Sequence, residues 1–272
     1  MTILVTGGTG LVGSRLIQRL VDAGVECRVL VRPGRPAPAG ATAVQGDILD
    51  PGTLEAAVDG VTAIIHLAAV LRTPDPDEIL QVNLEGTRNL IDATCAHAPH
   101  ARLVMASTGL VYSEVDRPRP AREDDVADSA QPYPASKIAA EELLRESGLT
   151  WSVLRFGFVY GDGDGHLEQL PRLAAMLNWH PARAVSLIHH RDIAGHVDLA
   201  LAGAFDNRIV NVTDDAPTTV YELAALVGAP IETTDEPLRN PWAGRLDGTL
   251  ARKLGFTTRL PTVHQAVLEN AI

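Results

Sequence analysis

Lysine is nearly missing from this chain. Lys137 and Lys253 are the only two in 272 residues, which gives weight to any motif that uses one. Cysteine is as scarce, with Cys27 and Cys95 alone. Neither lies in a CxxC pair, so neither a zinc site nor a disulfide framework is expected, and two buried free thiols are. No apolar run approaches the roughly 20 residues that span a bilayer. Met1 leads straight into an apolar stretch, with no basic region or cleavage site, so cytoplasmic residence and no membrane partner are expected. Clustered basic residues are absent and the formal net charge is −11, which excludes a nucleic-acid-binding face. The remainder is ordinary for a globular protein, 46% hydrophobic and 21% charged.

What is present is an alternation of short apolar runs with helical stretches. Residues 3–7, 27–32, 41–47, 63–69, 102–108 and 151–161 read as strands, with a seventh near 208–213. Residues 11–24, a short stretch through Leu54, Ala57 and Val58, 78–97 and 135–147 carry helical spacing. Such alternation predicts an α/β, doubly wound parallel sheet of Rossmann type, buried on both faces. The segments 162–190 and 214–272 are richer in Pro and Gly breaks. They are expected to form a small C-terminal substrate lobe beside a dinucleotide domain of residues 1–161, completed by the strand near 208–213.

The run TGGTGLVG (6–13) stands between the first strand and the first helix. A pyrophosphate needs close backbone approach, which Cβ atoms obstruct, and the helix N-terminus offers it unpaired N–H groups and a positive dipole end. Gly7, Gly10 and Gly13 therefore predict a bound nicotinamide dinucleotide. The second strand ends VLVRPGR. Arg32 stands where an NAD-preferring site carries a carboxylate for the ribose 2′-hydroxyl, and a guanidinium suits a 2′-phosphate. NADP is the preferred expectation, with NAD open. Asp47, ending the third strand, is placed to meet the adenine amino group, and Ala68 and Ala69, ending the fourth, leave room for the cofactor.

Tyr133 and Lys137 are four residues apart in YPASK, on one face of a helix. A free phenol, with a pKa of about 10, is a poor base at neutral pH, and a nearby ammonium favours its phenolate. The tyrosine can then move a proton while hydride moves to or from the nicotinamide. Ser107 and Thr108 end the fifth strand, where a hydroxyl can align the substrate carbonyl. One of them is expected as the third catalytic member.

Taken together, TGGTGLVG (6–13), GDILD (46–50), IIHLAA (64–69), NLEGTRNL (83–90), MASTGLVYS (105–113), YPASK (133–137), LRFGFVYGDG (154–163) and IHHRDIA (188–194) resemble the extended short-chain dehydrogenase/reductase family, in its epimerase/dehydratase-like branch. NVTDDAPTTVYELA (211–224) and LDGTLARKLGF (246–256) resemble its C-terminal lobe. The resemblance implies an NAD(P)-dependent oxidoreductase or epimerase with a Ser/Thr–Tyr–Lys set. In the family the catalytic hydroxyl lies four residues before the tyrosine of the VY pair. That position is Thr108, preferred here to Ser107. Cofactor contacts are implied for Gly7, Thr9, Gly10, Leu11, Val12, Gly13, Arg32, Asp47, Ile48, Leu67, Ala68, Ala69, Tyr133, Lys137, Phe156 and Phe158. Asn83 matches an asparagine that supports the active site, with a structural role in its helix as the equal alternative. Homodimers through the two helices that include the Tyr–Lys segment are also implied. Two features depart from the pattern. Phe158 stands where nucleotide-sugar epimerases often carry asparagine, which makes the pocket more apolar, and the chain is shorter than most extended members.

Other signals carry less. GDGDG (161–165) lacks the distal glutamate of a calcium loop and is expected to be a flexible turn near the substrate entrance. His189, His190 and Asp192 are not expected to hold a metal, and Asp192 is expected to be structural. His66 is read as a core histidine, and Glu123, Asp124 and Asp125 as a solvated loop. Arg172, Arg183, Arg239 and Arg245 lie in the expected lobe with Trp179 and Trp242, and name no substrate. The leading function is hydride transfer between NADP(H) and a carbonyl or secondary alcohol of a small molecule. An NAD-dependent sugar epimerase or dehydratase is the alternative. A non-catalytic NAD(P)-sensing regulator, the alternative of another class, would usually have lost the Tyr–Lys pair.

Overall fold

The computed structural model describes residues 1–73, 75–113 and 117–272. In chain order the first part runs β1 (Thr2–Thr6), α1 (Leu11–Asp22), β2 (Glu26–Val31), β3 (Thr42–Gln45), α2 (Glu55–Val58), β4 (Ala63–His66), α3 (Pro76–Leu80), α4 (Gly86–His97), β5 (Arg102–Thr108), α5 (Pro132–Glu146) and β6 (Thr150–Phe156). The second part runs β7 (Phe158–Tyr160), α6 (His166–Met176), β8 (Ala184–Val185), β9 (Leu187–His189), α7 (His190–Leu201), β10 (Arg208–Val212), β11 (Thr218–Thr219), α8 (Val220–Leu226), α9 (Thr249–Lys253) and α10 (Val263–Leu268).

Seven strands form one sheet in the order β3-β2-β1-β4-β5-β6-β10, with every pairing parallel. This is the doubly wound Rossmann architecture. The chain winds outward from β1 to β3, then returns beside β1 with β4 and winds the other way. The carboxyl ends of β1 and β4 thus flank the point where winding reverses, which is where such sheets bind ligands. Apolar strand residues bury both faces. Ile3, Val5, Val29 and Val104 pack under α1 and α7 with Leu16, Ile17 and Val197. Leu4, Ile64 and Leu103 pack on the other side with Leu54, Leu90 and Leu144. A separate apolar cluster joins Tyr160, Leu170, Leu187, Leu223, Leu260 and Val263, while Ala251 and Phe256, near the C-terminus, pack into the main core instead.

Several expected boundaries move, each for a local reason. The run 151–161 is two strands. β6 stays in the sheet, and after Gly157 the chain leaves to pair β7 in parallel with β9. A Cβ at Gly157 would lie 2.6 Å from the Ser186 carbonyl oxygen, so only glycine lets the two backbones pass. The helical stretch 78–97 is interrupted by a π turn, Gln81–Glu85, a feature often found at functional sites. α5 begins at Pro132, three residues earlier than the periodicity indicates, because proline suits the first helical position.

Two loop expectations and one thiol expectation are corrected. Residues 161–165 are pinned rather than loose: the Asp162 carboxylate pairs with Arg19 and Arg191, and Asp164 accepts from His190 Nε2 at 2.8 Å. Glu123 is not solvated. It is half-buried and accepts the Asn211 N–H at 2.9 Å, while Asp125 accepts from Arg119 and Arg117 and is held down to about 2, chiefly by the Arg119 hydrogen bond. Cys27 is buried, but Cys95 is exposed, because it lies on the outer face of α4. His189 and His190 turn to separate partners, the Ala271 carbonyl and Asp164. The Asp192 carboxylate accepts the backbone N–H groups of Arg259 and Leu260.

Candidate active site

The site is framed by the two loops at the reversal point. Gly7 has a positive φ of 69°, and a Cβ there would stand 2.5 Å from the Ala68 backbone nitrogen. Glycine is therefore what lets the turn after β1 close against the chain leaving β4. A Cβ at Gly13 would stand 2.3 Å from the Gly7 carbonyl oxygen, so Gly13 seats α1 on that turn. No side chain caps α1 at Gly10, and Thr9, Gly10 and Leu11 are exposed. The first-turn N–H groups are left to an outside acceptor, which fits a pyrophosphate.

The other expected cofactor positions fall in two groups. Val12, Leu67, Ala69, Phe156 and Phe158 line a cavity of about 850 Å³. Arg32 is exposed at the end of β2, and Asp47 closes the turn after β3 by accepting the Leu49 N–H at 2.9 Å. Ile48 serves the core: its side chain is buried against Gly86, and its carbonyl accepts from Asn89 Nδ2.

Behind the loops, His66 is a core histidine. Thr87 donates its hydroxyl to the Asn83 carbonyl at 2.6 Å, so it must accept from His66 Nε2 at 2.9 Å. Thr6 then donates to His66 Nδ1 at 2.7 Å. The ring is neutral, since burial and the neighbouring Lys137 pull it down to about 3. Asn83 sits in the π turn and fastens three segments. Its Oδ1 accepts the Val70 N–H at 2.7 Å, and its Nδ2 donates to the Val70 carbonyl and to Ser136 Oγ.

The same cavity is lined by Ser107, Thr108 and Tyr133. Lys137 lies one turn behind Tyr133 on α5 and is buried. Burial pushes the Tyr133 phenol up to about 12. It also pulls the Lys137 ammonium down to about 8, with the Glu141 carboxylate opposing that shift.

Successive side chains on a strand point to opposite sides, and the two hydroxyls of β5 have different occupations. Ser107 Oγ donates to Glu141 Oε1 at 2.5 Å. Thr108 Oγ1 accepts the Leu110 N–H at 3.2 Å, which leaves its own proton for another acceptor.

Glu141 anchors a buried polar network that the sequence did not reveal. Arg155 Nε and Nη2 donate to its two oxygens at 3.1 and 2.5 Å. Arg155 Nη1 donates to the Tyr112 hydroxyl at 2.8 Å, and that hydroxyl donates to Asn211 Oδ1 at 2.9 Å. The chain of bonds ties β5, α5, β6 and β10 together beneath the site. Two sequence signals point to it: Arg155 is a lone charge in an apolar strand, and Glu141 stands one helical turn beyond Lys137. Of the residues expected in the lobe, Arg172, Arg183 and Trp179 line the cavity. The Arg183 guanidinium stacks 4.6 Å from the Trp179 ring, and Arg245 stacks likewise on Trp242. Arg239, Arg245 and Trp242 are not part of its wall.

Residues 3–212 match the model of the NAD dependent epimerase/dehydratase family. The chain is 31% identical to a dTDP-6-deoxy-L-talose 4-dehydrogenase (NAD(P)(+)) of Kitasatospora kifunensis, across 98% of this chain and 93% of that protein. It is 29% identical to a 3-diazoavenalumate denitrifying reductase of a Streptomyces species, across 85% of this chain and 83% of that one. A short-chain dehydrogenase/reductase superfamily protein of Agrobacterium tumefaciens, solved with bound NAD, superposes with a TM-score of 0.81 at 28% identity, over 99% of this chain and 95% of that chain. With the glycine turn, the Tyr–Lys pair and the parallel sheet all in place, the chain belongs to the NAD-dependent epimerase/dehydratase family, within the extended short-chain dehydrogenases/reductases, and is an NAD(P)-dependent enzyme of that type.

Proposed function

We propose that this enzyme is a reductase that interconverts a ketone and a secondary alcohol with NADP(H), using Thr108, Tyr133 and Lys137 as its catalytic groups. The observation that carries the proposal is the shared cavity: Thr108 and Tyr133 stand in one wall with Val12, Leu67 and Ala69 of the cofactor loops. When bound, the nicotinamide supplies or accepts the hydride. In reduction the carbonyl carbon gains that hydride and the oxygen gains a proton from Tyr133, leaving an alcohol and the oxidised cofactor. Burial keeps Tyr133 protonated at neutral pH, the state needed to deliver a proton. Thr108 donates to the same oxygen and orients it. The Lys137 charge stabilises the phenolate that Tyr133 leaves behind. Ser107 is outside the set, because its proton is engaged by Glu141.

Arg32 supports NADP over NAD. Its guanidinium is exposed at the end of β2, where a 2′-phosphate accepts its hydrogen bonds. Arg32→Ala is expected to weaken NADP binding by about tenfold or more and NAD binding little; equal losses would refute this role. The part of the chain from 162–190 and 214–272 is proposed as the substrate lobe. A cytoplasmic homodimer through α4 and α5, whose outer faces are exposed, completes the proposal, and light scattering checks the dimer.

The main test follows absorbance at the reduced nicotinamide band while ketones, secondary alcohols and nucleotide sugars are offered with each cofactor. A reductase releases oxidised cofactor at every turnover. An epimerase converts its substrate with no net change in that band, and such a result would replace the reductase proposal with the epimerase reading.

A further inference from the structure

The cavity assigned above to hydride transfer has two chemically distinct ends. The catalytic end holds Thr108 and Tyr133. Away from it the interior wall is mostly apolar, built by Phe158, Leu173, Trp179 and Leu246, with the Arg183 guanidinium over the Trp179 ring. Polar groups in the wall are largely engaged by the protein itself. Ser107 bonds Glu141, Ser186 Oγ accepts the Leu246 N–H, and His166 Nδ1 bonds the Val159 carbonyl. Arg72, Gln131, Gln169 and Arg172 also line the cavity, but all four are exposed to solvent.

The rim adds an independent observation. Among the described residues eleven large apolar side chains are exposed, and four of them, Leu71, Leu110, Met176 and Leu177, line this one cavity. They come from three separate places: the segment after β4, the turn after β5 and the end of α6. Scattered exposed leucines need no explanation, whereas a cluster at a cavity mouth marks a surface that an apolar ligand covers. A sugar body laid along Leu173 and Trp179 and across this rim would set most of its hydroxyls against apolar side chains, which costs affinity at each one left without a partner.

Resting on the hydride-transfer proposal, we infer that the substrate is a hydrophobic ketone or secondary alcohol. Its reacting carbon lies at Thr108 and Tyr133, and its apolar body runs along Leu173 and Trp179 and out across the rim of Leu71, Leu110, Met176 and Leu177.

The test is a series of methyl ketones from four to ten carbons, compared with UDP-glucose and dTDP-glucose, using NADPH and NADH. kcat/KM is expected to rise about three- to fourfold per added methylene until the chain reaches the rim. A Met176→Gln, Leu177→Gln double variant is expected to lose at least tenfold of the preference for the ten-carbon over the six-carbon ketone. Both side chains are exposed, so the variant should fold. A flat dependence on chain length, or turnover of a nucleotide sugar in preference to the long ketones, overturns the inference and leaves hydride transfer standing. If no compound in the series is turned over, the hydride-transfer proposal fails for these substrates. The inference is then decided separately, by thermal shift of the NADPH-loaded protein. A larger rise with the ten-carbon ketone than with UDP-glucose upholds it, and the reverse order overturns it.

Discussion

On the Rossmann side of the cavity, Thr108 and Tyr133 project from β5 and α5. Beneath them Ser107, Glu141, Arg155, Tyr112 and Asn211 bond to one another in a buried chain. On the lobe side the wall comes from α6, from short strands and from loops. It is mostly apolar and ends in an exposed rim. The first wall is held by directional bonds whose partners must all be present. The second is held by packing, which tolerates exchange of one apolar side chain for another of similar volume. The difference teaches where such an enzyme can change: on the proposed function, chemistry resides in the wall that resists substitution, and substrate choice in the wall that permits it.

Removing the acid from the polar wall should have the largest effect. Tyr133→Phe is expected to lower kcat by about 10²- to 10⁴-fold while NADPH binding, measured by fluorescence titration, is kept; undiminished turnover would sink the assignment. Next is the network beneath. Glu141→Ala leaves the buried Arg155 guanidinium without its carboxylate and should cost about 3–5 kcal/mol in urea unfolding. A loss under about 1 kcal/mol, the usual worth of an exposed pair, would mean that this wall is no more rigid than the lobe.

The pH dependence of reduction sharpens the comparison further. Lys137 is pulled down to about 8 by burial. If its charge supports Tyr133, kcat/KM should hold steady below about pH 8 and fall above it, approaching tenfold per pH unit. Lys137→Met should abolish that limb, and a profile unchanged by the substitution would remove lysine from the mechanism.

The smallest effect is expected at Asp214, whose N–H bonds the Leu187 carbonyl and so joins the end of β10 to β9. It is buried, and burial pushes its carboxyl up to about 8. The folded protein therefore keeps a proton that the unfolded chain, with an ordinary carboxyl pKa of about 4, releases. Stability is then full below about pH 4, falls as pH rises towards about 8, and levels off above it. Asp214→Asn removes the titrating group. It should leave Tm unchanged near pH 4 and raise it by about 5 °C at pH 6. A gain of equal size at both pH values would contradict a protonated Asp214.

Much of the polar wall was legible in the sequence, because its signals are local. Tyr133 and Lys137 declare themselves by a spacing of one helical turn, and Gly7, Gly10 and Gly13 by their place between strand and helix. Its support was marked only by the lone charge of Arg155 and the spacing of Glu141 from Lys137, and which groups they bond was not legible. Glu141, Arg155 and Asn211 are far apart in the chain, and their bonding depends on which strands become neighbours. The apolar wall was legible only at Phe158, since the rim is assembled from three segments with no shared local pattern.

By itself the sequence determined the parallel sheet, the glycine turn between β1 and α1, and the pairing of tyrosine with lysine. Each follows from hydrogen bonding and periodicity among residues within a few turns of one another. Only the tertiary structure decided that Thr108 and not Ser107 keeps a free proton, that the run 151–161 breaks at Gly157, that the helix at 81–85 widens around Asn83, and that Cys95 faces outward. Those outcomes depend on what approaches from the opposite element: a carboxylate, a carbonyl, a loop or nothing. A chain read in one dimension does not carry that distance.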